Sequence, residues 1–138
     1  MTKPKSERVK EAQPHLARAR EQLDRAQVDS WDPADPAECV TKCFYAYENA
    51  VVAAATAMGI AWTKRHDQKA ALARRMFQEN TVKTDVGDRL AKLNELRKDI
   101  SYGEPGEELS EVDLEGLVSD LEAFLDEVNE IVSSLEEE

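Results

Sequence analysis

The residue with the clearest potential for chemistry is an arginine on the apolar face of a predicted helix. Arg97 lies in register with apolar residues that recur three or four positions apart, at Val86, Leu90, Leu93 and Ile100. A guanidinium at such a position must contact an anion, a carbonyl group or water, because a buried unpaired charge is strongly unfavourable. Either its stem covers the core while its head group reaches water, or it lies in a wet cleft that accepts an anion.

A tyrosine and a glycine follow this arginine near the end of the same helix. Tyr102 lies five residues after Arg97, and Gly103 suits the conformation that ends many helices. Five helical residues turn the two side chains about 140° apart, so the phenol meets the guanidinium only if the helix end unwinds or a second subunit supplies it. A phenol titrates at about pH 10 in model peptides and is a poor base at neutral pH.

A histidine at the start of the third predicted helix is a further candidate for anion contact. His66 follows Lys64 and Arg65. It is either a surface or capping residue, or it contacts an anion at the helix N-terminus, where backbone N–H groups point outward. Lys98, the neighbour of Arg97, completes the candidate anion-binding residues.

Two polar residues interrupt the most apolar predicted helix. Glu48 and Asn49 lie within the run 44–58, and at least one must lie near the edge of the core because this helix is apolar nearly all round. An ion pair between Glu48 and Arg97 would satisfy both charges and would be structural. The same pair could orient Arg97 towards a phosphate, so Glu48 and Asn49 are the candidate orienting residues.

The two cysteines do not predict a metal site. Cys39 and Cys43 lie four residues apart on one predicted helix, and beyond carboxylates only His15 and His66 could complete a ligand set. A disulfide within one helical turn would be strained. We therefore expect buried free thiols, no metal and no cofactor. We also find no hydrolytic triad and no glycine-rich phosphate loop.

The composition indicates one helical domain over residues 1–138. Five glycines and five prolines are too few for a hairpin-rich sheet. The longest run without a charge lies between Glu48 and Lys64, which is too short to span a bilayer. The first residues lack the apolar stretch of a signal peptide, so we expect a cytoplasmic location.

The charge is strongly acidic and unevenly distributed. The net charge is −11, with ten Lys or Arg and five Asp or Glu in residues 61–98, but fifteen Asp or Glu and no Lys or Arg in residues 99–138. Such a chain has no broad field that attracts nucleic acid. A local anion-binding cleft remains compatible with the basic region.

The apolar spacing predicts an all-α chain of about five helices. Asp35 is predicted to cap the second helix with Glu38 closing a capping box, and Gly59 to end it. Pro14 predicts either a kink or a new start within the first helix. The first four predicted helices span about 6–27, 36–58, 66–78 and 85–102. Ser110 is predicted to cap a last helix, with Asp113 at the capping-box position. The apolar stripe of this last helix reaches Leu135.

These residues resemble the HEPN domain family over roughly residues 8–135. The likeness rests on the helix order, the run Phe44-Tyr45-Ala46-Tyr47-Glu48-Asn49-Ala50-Val51, the His66 segment, and the stretch 96–104, whose Arg-x-x-x-x-Tyr-Gly pattern is similar to that of a small stand-alone branch. The resemblance implies an up-and-down helical bundle that pairs through its motif-bearing helices. It also implies kinship with RNA-cleaving toxins, defence proteins and nucleotide-handling modules.

The resemblance further implies roles for the motif residues. In the nuclease members an Arg-x-x-x-x-His pair from each subunit meets at the dimer interface, where the arginine steadies the scissile phosphate and the histidine helps the 2′-hydroxyl attack without metal. Arg97 matches the arginine, whereas Tyr102 stands in place of the histidine. Charge stabilisation by two arginines can survive this change, but proton transfer is much weaker. We therefore expect a non-catalytic or weakly active homodimer that binds RNA or a nucleotide in a toxin–antitoxin, defence or nucleotide-responsive system.

Two other functions remain open at this point. One is a metal-independent HEPN ribonuclease toxin, and the other is a helical adaptor whose acidic C-terminal helix binds a basic protein. An adaptor would bury Arg97 against Glu48 or leave it in bulk water, whereas a HEPN site would aim two copies into one groove. Expected partners are a second copy, RNA or a nucleotide, and a cognate antitoxin or nucleotidyltransferase, without a membrane.

Overall fold

The structure of the protein is a computed structural model that describes residues 3–103 and 106–137. Within these residues all regular secondary structure is helical, as the composition and apolar spacing predict. The described helices are α1 (Lys5–Asp29), α2 (Pro36–Ala57), α3 (His66–Gln78), α4 (Gly87–Ser101), α5 (Glu107–Ser110) and α6 (Leu114–Glu136).

The first helix continues through the proline that was expected to kink or divide it. Pro14 lies inside α1 and is exposed. The carbonyl group one turn earlier, on Lys10, loses its helical donor to the proline ring, but it lies on the solvent side, where water can replace that donor. A single helix therefore presents its whole apolar stripe to the core.

The ends of α2 follow the predicted signals. The side chain of Asp35 accepts a hydrogen bond from the backbone N–H of Glu38 at 3.2 Å, and Pro36 occupies the first helical position. Glu38 does not close the capping box, because its carboxylate instead lies 3.6 Å from the Nζ of Lys42. The helix stops before Gly59, which has a φ of +73°.

The last helix starts differently from the prediction. Ser110 ends the short helix α5, and its hydroxyl donates to the carbonyl of Glu107 at 2.7 Å. Asp113 is the residue that caps α6, since its side chain accepts from the N–H of Gly116 at 3.0 Å. The cap is therefore three residues later than expected, because both serine and aspartate are good capping residues and the sequence offers one at each position.

The most apolar helix, α2, lies at the centre and packs against α1, α3, α4 and α6. It runs antiparallel to α1. At one end the thiol of Cys39 lies 3.4 Å from the carbonyl of Ala26, and at the other the Nε of Arg8 donates to the carbonyl of Ala57 at 3.1 Å. Both cysteines are free and fully buried, as expected. A hydrogen bond with Cys39 and burial raise the pKa of the Cys43 thiol.

Helix α6 covers the remaining side of α2 and also holds the turn between α3 and α4. The ring of Tyr47 packs on Phe124 with centroids 5.8 Å apart, and burial raises the pKa of Tyr47 to about 12. The carboxylate of Glu127 accepts from the N–H of Lys83 at 2.7 Å and from the hydroxyl of Thr84 at 2.8 Å. This contact anchors the α3–α4 turn on the bundle.

Helices α3 and α4 form an antiparallel pair. Arg74 forms an ion pair with Asp88 near the turn, and the first residue of α3 lies near the C-terminal half of α4 at the opposite end. Both helices pack on α2. This arrangement brings the residues around His66 and Arg97 to one region of the bundle.

None of the helices in the described part of the chain is both long and apolar enough to cross a membrane.

We predict that the small residues of α1 control how closely it packs. Ala19 is fully buried, and Ala17 on the same helix is exposed. Ala19→Leu should lower the free energy of unfolding by about 1–3 kcal/mol because the core has no room for the larger side chain. Ala17→Leu should be nearly neutral, since both residues are good helix formers. Urea unfolding of both variants tests this, and equal stabilities would contradict it.

Candidate functional site

The candidate site surrounds the buried ring of Phe44, where α2, the first turn of α3 and α4 meet. The guanidinium carbon of Arg97 lies 5.2 Å from the centroid of this ring. The imidazole of His66 also lies 5.2 Å from it, in an edge-on arrangement. Phe44 itself is 1% exposed and does not move freely. One buried aromatic ring therefore supports two side chains from two different helices.

Arg97 is partly buried and is held by a neutral group. Its Nε and Nη2 donate to the side-chain oxygen of Asn94, at 3.3 and 2.9 Å. The cation also gains from the face of the Phe44 ring. Among the described residues no carboxylate lies within ion-pair distance of Arg97, so its charge is oriented but not neutralised.

The expected ion pair between Glu48 and Arg97 is wrong. Glu48 is 3% exposed, and its Oε2 lies 2.6 Å from the Nδ1 of His66. Its Oε1 lies 3.5 Å from the Nζ of Lys69. The first turn of α3 therefore supplies both partners of the carboxylate, because His66 and Lys69 are three residues apart and lie on the same side of that helix.

The contact with Glu48 determines how His66 can act. A carboxylate only accepts hydrogen bonds, so the Nδ1 of His66 carries the hydrogen and the Nε2 is free to accept or donate. The His66 side chain is 36% exposed, and its Nε2 has no protein partner in the described parts of the chain. His66 is the first residue of α3 but does not cap it through its side chain.

The region around this histidine is positively charged. Lys69 contacts the same carboxylate as His66, and Arg97 packs on the same Phe44 ring as the imidazole. Arg65 precedes His66 and is paired with the exposed Asp67 at 3.1 Å. The site thus has more cations than anions, in a protein whose net charge is strongly negative.

The other predicted site residues do not join this cluster. The side-chain nitrogen of Asn49 donates to Gln22 on α1 at 2.9 Å, so it ties α2 to α1. Lys98 lies 3.4 Å from Glu95 on the surface of α4. Tyr102 follows the last residue of α4 and is 75% exposed. The roles predicted for these residues stay predictions.

Three residues of the site were missed from the sequence: Phe44, Lys69 and Asn94. Each lies three or four residues from a predicted site residue on the same helix, at the spacing that brings side chains together. Asn94 precedes Arg97 by three residues, and Phe44 precedes Glu48 by four. This spacing could have indicated that the three residues lie next to predicted site residues on the same helix. It does not show which of these residues contact another helix.

The described residues contain no group of three or more His, Cys, Asp or Glu side chains that could hold a metal ion. The site combines an imidazole and an ammonium group that contact one buried carboxylate with a guanidinium that packs on the Phe44 ring. Such a set can bind a phosphate and can transfer a proton through the imidazole.

Comparison with known families identifies the family of the chain. The HEPN domain family model matches residues 12–131. The chain belongs to the HEPN family, and its all-α fold is the one expected for that family. Searches of curated proteins and of solved structures found no match.

We predict that Glu48 is the most important polar residue for stability. Glu48→Ala removes a buried carboxylate and leaves His66 and Lys69 facing each other without their anion. It should lower the free energy of unfolding by about 3 kcal/mol, at the low end of the range for a broken buried ion pair, because His66 can turn towards water. The control Glu21→Ala removes an exposed i,i+4 pair with Arg25 and should cost less than about 0.5 kcal/mol. Similar losses for both variants in urea unfolding would show that the buried contact is unimportant.

Proposed function

We propose that this HEPN protein is a homodimer that binds a phosphate group of RNA or of a nucleotide at Arg97. Its biological setting is a toxin–antitoxin, defence or nucleotide-responsive system, in which a cognate antitoxin or a nucleotidyltransferase is the partner protein. The observation that carries the proposal is the oriented but unneutralised guanidinium of Arg97.

The surroundings of Arg97 favour this function over a plain adaptor. A structural arginine is normally paired with a carboxylate, and a surface arginine lies in bulk water. Arg97 does neither, because Asn94 and the Phe44 ring hold it in place. Fixing the guanidinium in advance lowers the entropy lost when it binds a phosphate oxygen.

The acidic C-terminal helix gives weaker support to the adaptor function. Part of its negative charge is used inside the molecule, since Asp120 pairs with Arg89 at 2.8 Å and Glu127 anchors the α3–α4 turn. The remaining acidic side chains form a solvated face. The acidic charge of α6 by itself therefore gives no specific observation in favour of an adaptor.

The family and the chemistry of the site both support a homodimer. HEPN domains commonly dimerise, and one arginine on a helix surface gives only a shallow phosphate contact. Two copies of Arg97 facing one groove would hold a phosphate from two sides. The site proposed for one chain would then be completed by the second copy.

We predict that Arg97→Ala weakens RNA binding without unfolding the protein. A charged hydrogen bond is worth about 1.5–3 kcal/mol, so the Kd for a fluorescent single-stranded RNA should rise roughly 10- to 100-fold. Binding by the wild type should also weaken as salt rises. The matched control is Arg25→Ala, which removes an exposed arginine on α1. Unchanged anisotropy curves for Arg97→Ala would refute the phosphate site and favour the adaptor.

We predict a dimer in solution at micromolar concentration. Sedimentation equilibrium should give a mass about twice the 15.5 kDa of one chain. A monomer at these concentrations, with or without RNA, would contradict the proposal that two subunits share the groove.

A further inference from the structure

We propose that a groove beside Trp31 docks a basic segment of a partner protein, with an arginine side chain stacked on the indole. The groove lies between the end of α1 with its following turn and one face of α6, and its volume is about 490 Å³. The residues that define this Trp31 groove are Gln27, Ser30, Trp31, Glu115, Glu122 and Asp126. None of them belongs to the candidate site around Phe44, so the docking surface does not depend on the proposed phosphate site.

An exposed apolar patch lies at the end of α1. Trp31 is 59% exposed and Val28 is 55% exposed. The backbone N–H of Trp31 donates to the carbonyl of Val28 at 3.1 Å, which keeps the two residues together. The indole N–H of Trp31 has no partner within the described parts of the chain, whereas that of Trp62 donates to Thr56 at 3.1 Å. Tryptophan is enriched where proteins bind one another, so this patch is suited to docking.

A row of carboxylates lies beside this patch. Glu122 and Asp126 follow Glu115 by seven and eleven residues, so the helical repeat places the three side chains within about 40° of one another. The row is about 16 Å long. Among the described residues no Lys, Arg or His lies within ion-pair distance of these three, whereas Asp120 on the same helix pairs with Arg89 at 2.8 Å. The groove therefore combines unneutralised negative charge with an aromatic ring.

The charge and the ring together indicate the chemistry of the partner. Arginine suits both, because its planar guanidinium stacks on an indole and donates two parallel hydrogen bonds to a carboxylate. In an extended segment alternate side chains point to one side about 6.6 Å apart. This spacing is close to the rise of about 6 Å between Glu122 and Asp126 on α6. The occupant is therefore an extended segment with arginines at alternate positions.

Fluorescence anisotropy with a labelled peptide of alternating arginine and alanine tests the proposal. The wild type should bind this peptide, and binding should weaken as salt rises because the charges are exposed. Trp31→Ala should raise the Kd roughly 3- to 30-fold through loss of the cation–π contact. Glu122→Gln should raise it about 2- to 5-fold. The same peptide with glutamate in place of arginine should not bind.

Matched variants separate the groove from the general charge of the protein. Glu130→Gln removes a carboxylate of α6 outside the groove, and Phe77→Ala removes a ring on α3 that is 39% exposed. Both should bind the peptide like the wild type. Unlabelled peptide should change the tryptophan emission of the wild type. This change should be absent from Trp31→Phe, in which Trp62 is the remaining tryptophan.

Other outcomes would overturn the proposal. Equal weakening by Glu130→Gln and Glu122→Gln would show attraction to negative charge anywhere on the protein. Displacement of the peptide by an equal concentration of spermidine would identify a free polyamine as the occupant. Loss of the dimer in Trp31→Ala would show that a second copy of this chain covers the groove.

RNA binding separates this proposal from the proposed function. Trp31→Ala should bind RNA like the wild type, and Arg97→Ala should bind the arginine peptide like the wild type. An unchanged peptide Kd for Trp31→Ala would overturn the docking surface and leave the phosphate site standing. Weaker RNA binding by Trp31→Ala would show that the groove belongs to the RNA site, and it would also overturn the docking surface.

Discussion

The burial of one carboxylate, that of Glu48, is the constraint on which the site depends. A carboxylate in the middle of the most apolar helix is costly unless cationic or hydrogen-bonding partners reach it. His66 and Lys69 satisfy this need from the first turn of α3, at 2.6 and 3.5 Å. The start of α3 is thereby held against α2, and the imidazole lies on the Phe44 ring. Without the buried charge, apolar contacts alone would place α3 without orienting its histidine.

The remainder of the bundle supports this contact through close packing. Fully buried alanines along α1 and α2 let those helices approach, so that α2 can serve as the common centre for its neighbours. Glu127 on α6 anchors the α3–α4 turn, which sets how α3 and α4 lie relative to each other. The polar contacts are few, but each one connects two helices. A change in the geometry of the site would therefore require several helices to move.

Arg97, the proposed phosphate contact, packs on the same Phe44 ring as the histidine of this cluster. The guanidinium of Arg97 lies at the helix surface, oriented by Asn94 and by an aromatic face. A histidine from another helix lies against the same aromatic ring. Lys69 of α3 and Arg97 of α4 lie in this region, whereas much of the acidic charge lies on α6. Charge is thus separated within the chain, and a net charge of −11 does not prevent local attraction of a phosphate.

The sequence by itself determined most of the helices and the place of Arg97 on the apolar side of its helix. These features follow from local rules, because apolar spacing, a capping aspartate such as Asp35 and a left-handed glycine such as Gly59 act within a few residues. The resemblance to the HEPN family was visible as well, and the family match confirms it. Only the tertiary structure decided that Glu48 pairs with His66 rather than with Arg97. That pairing depends on which helices pack against each other. The spacing of residues along a helix determines which face of that helix a side chain occupies, but it does not determine which neighbouring helix that face contacts.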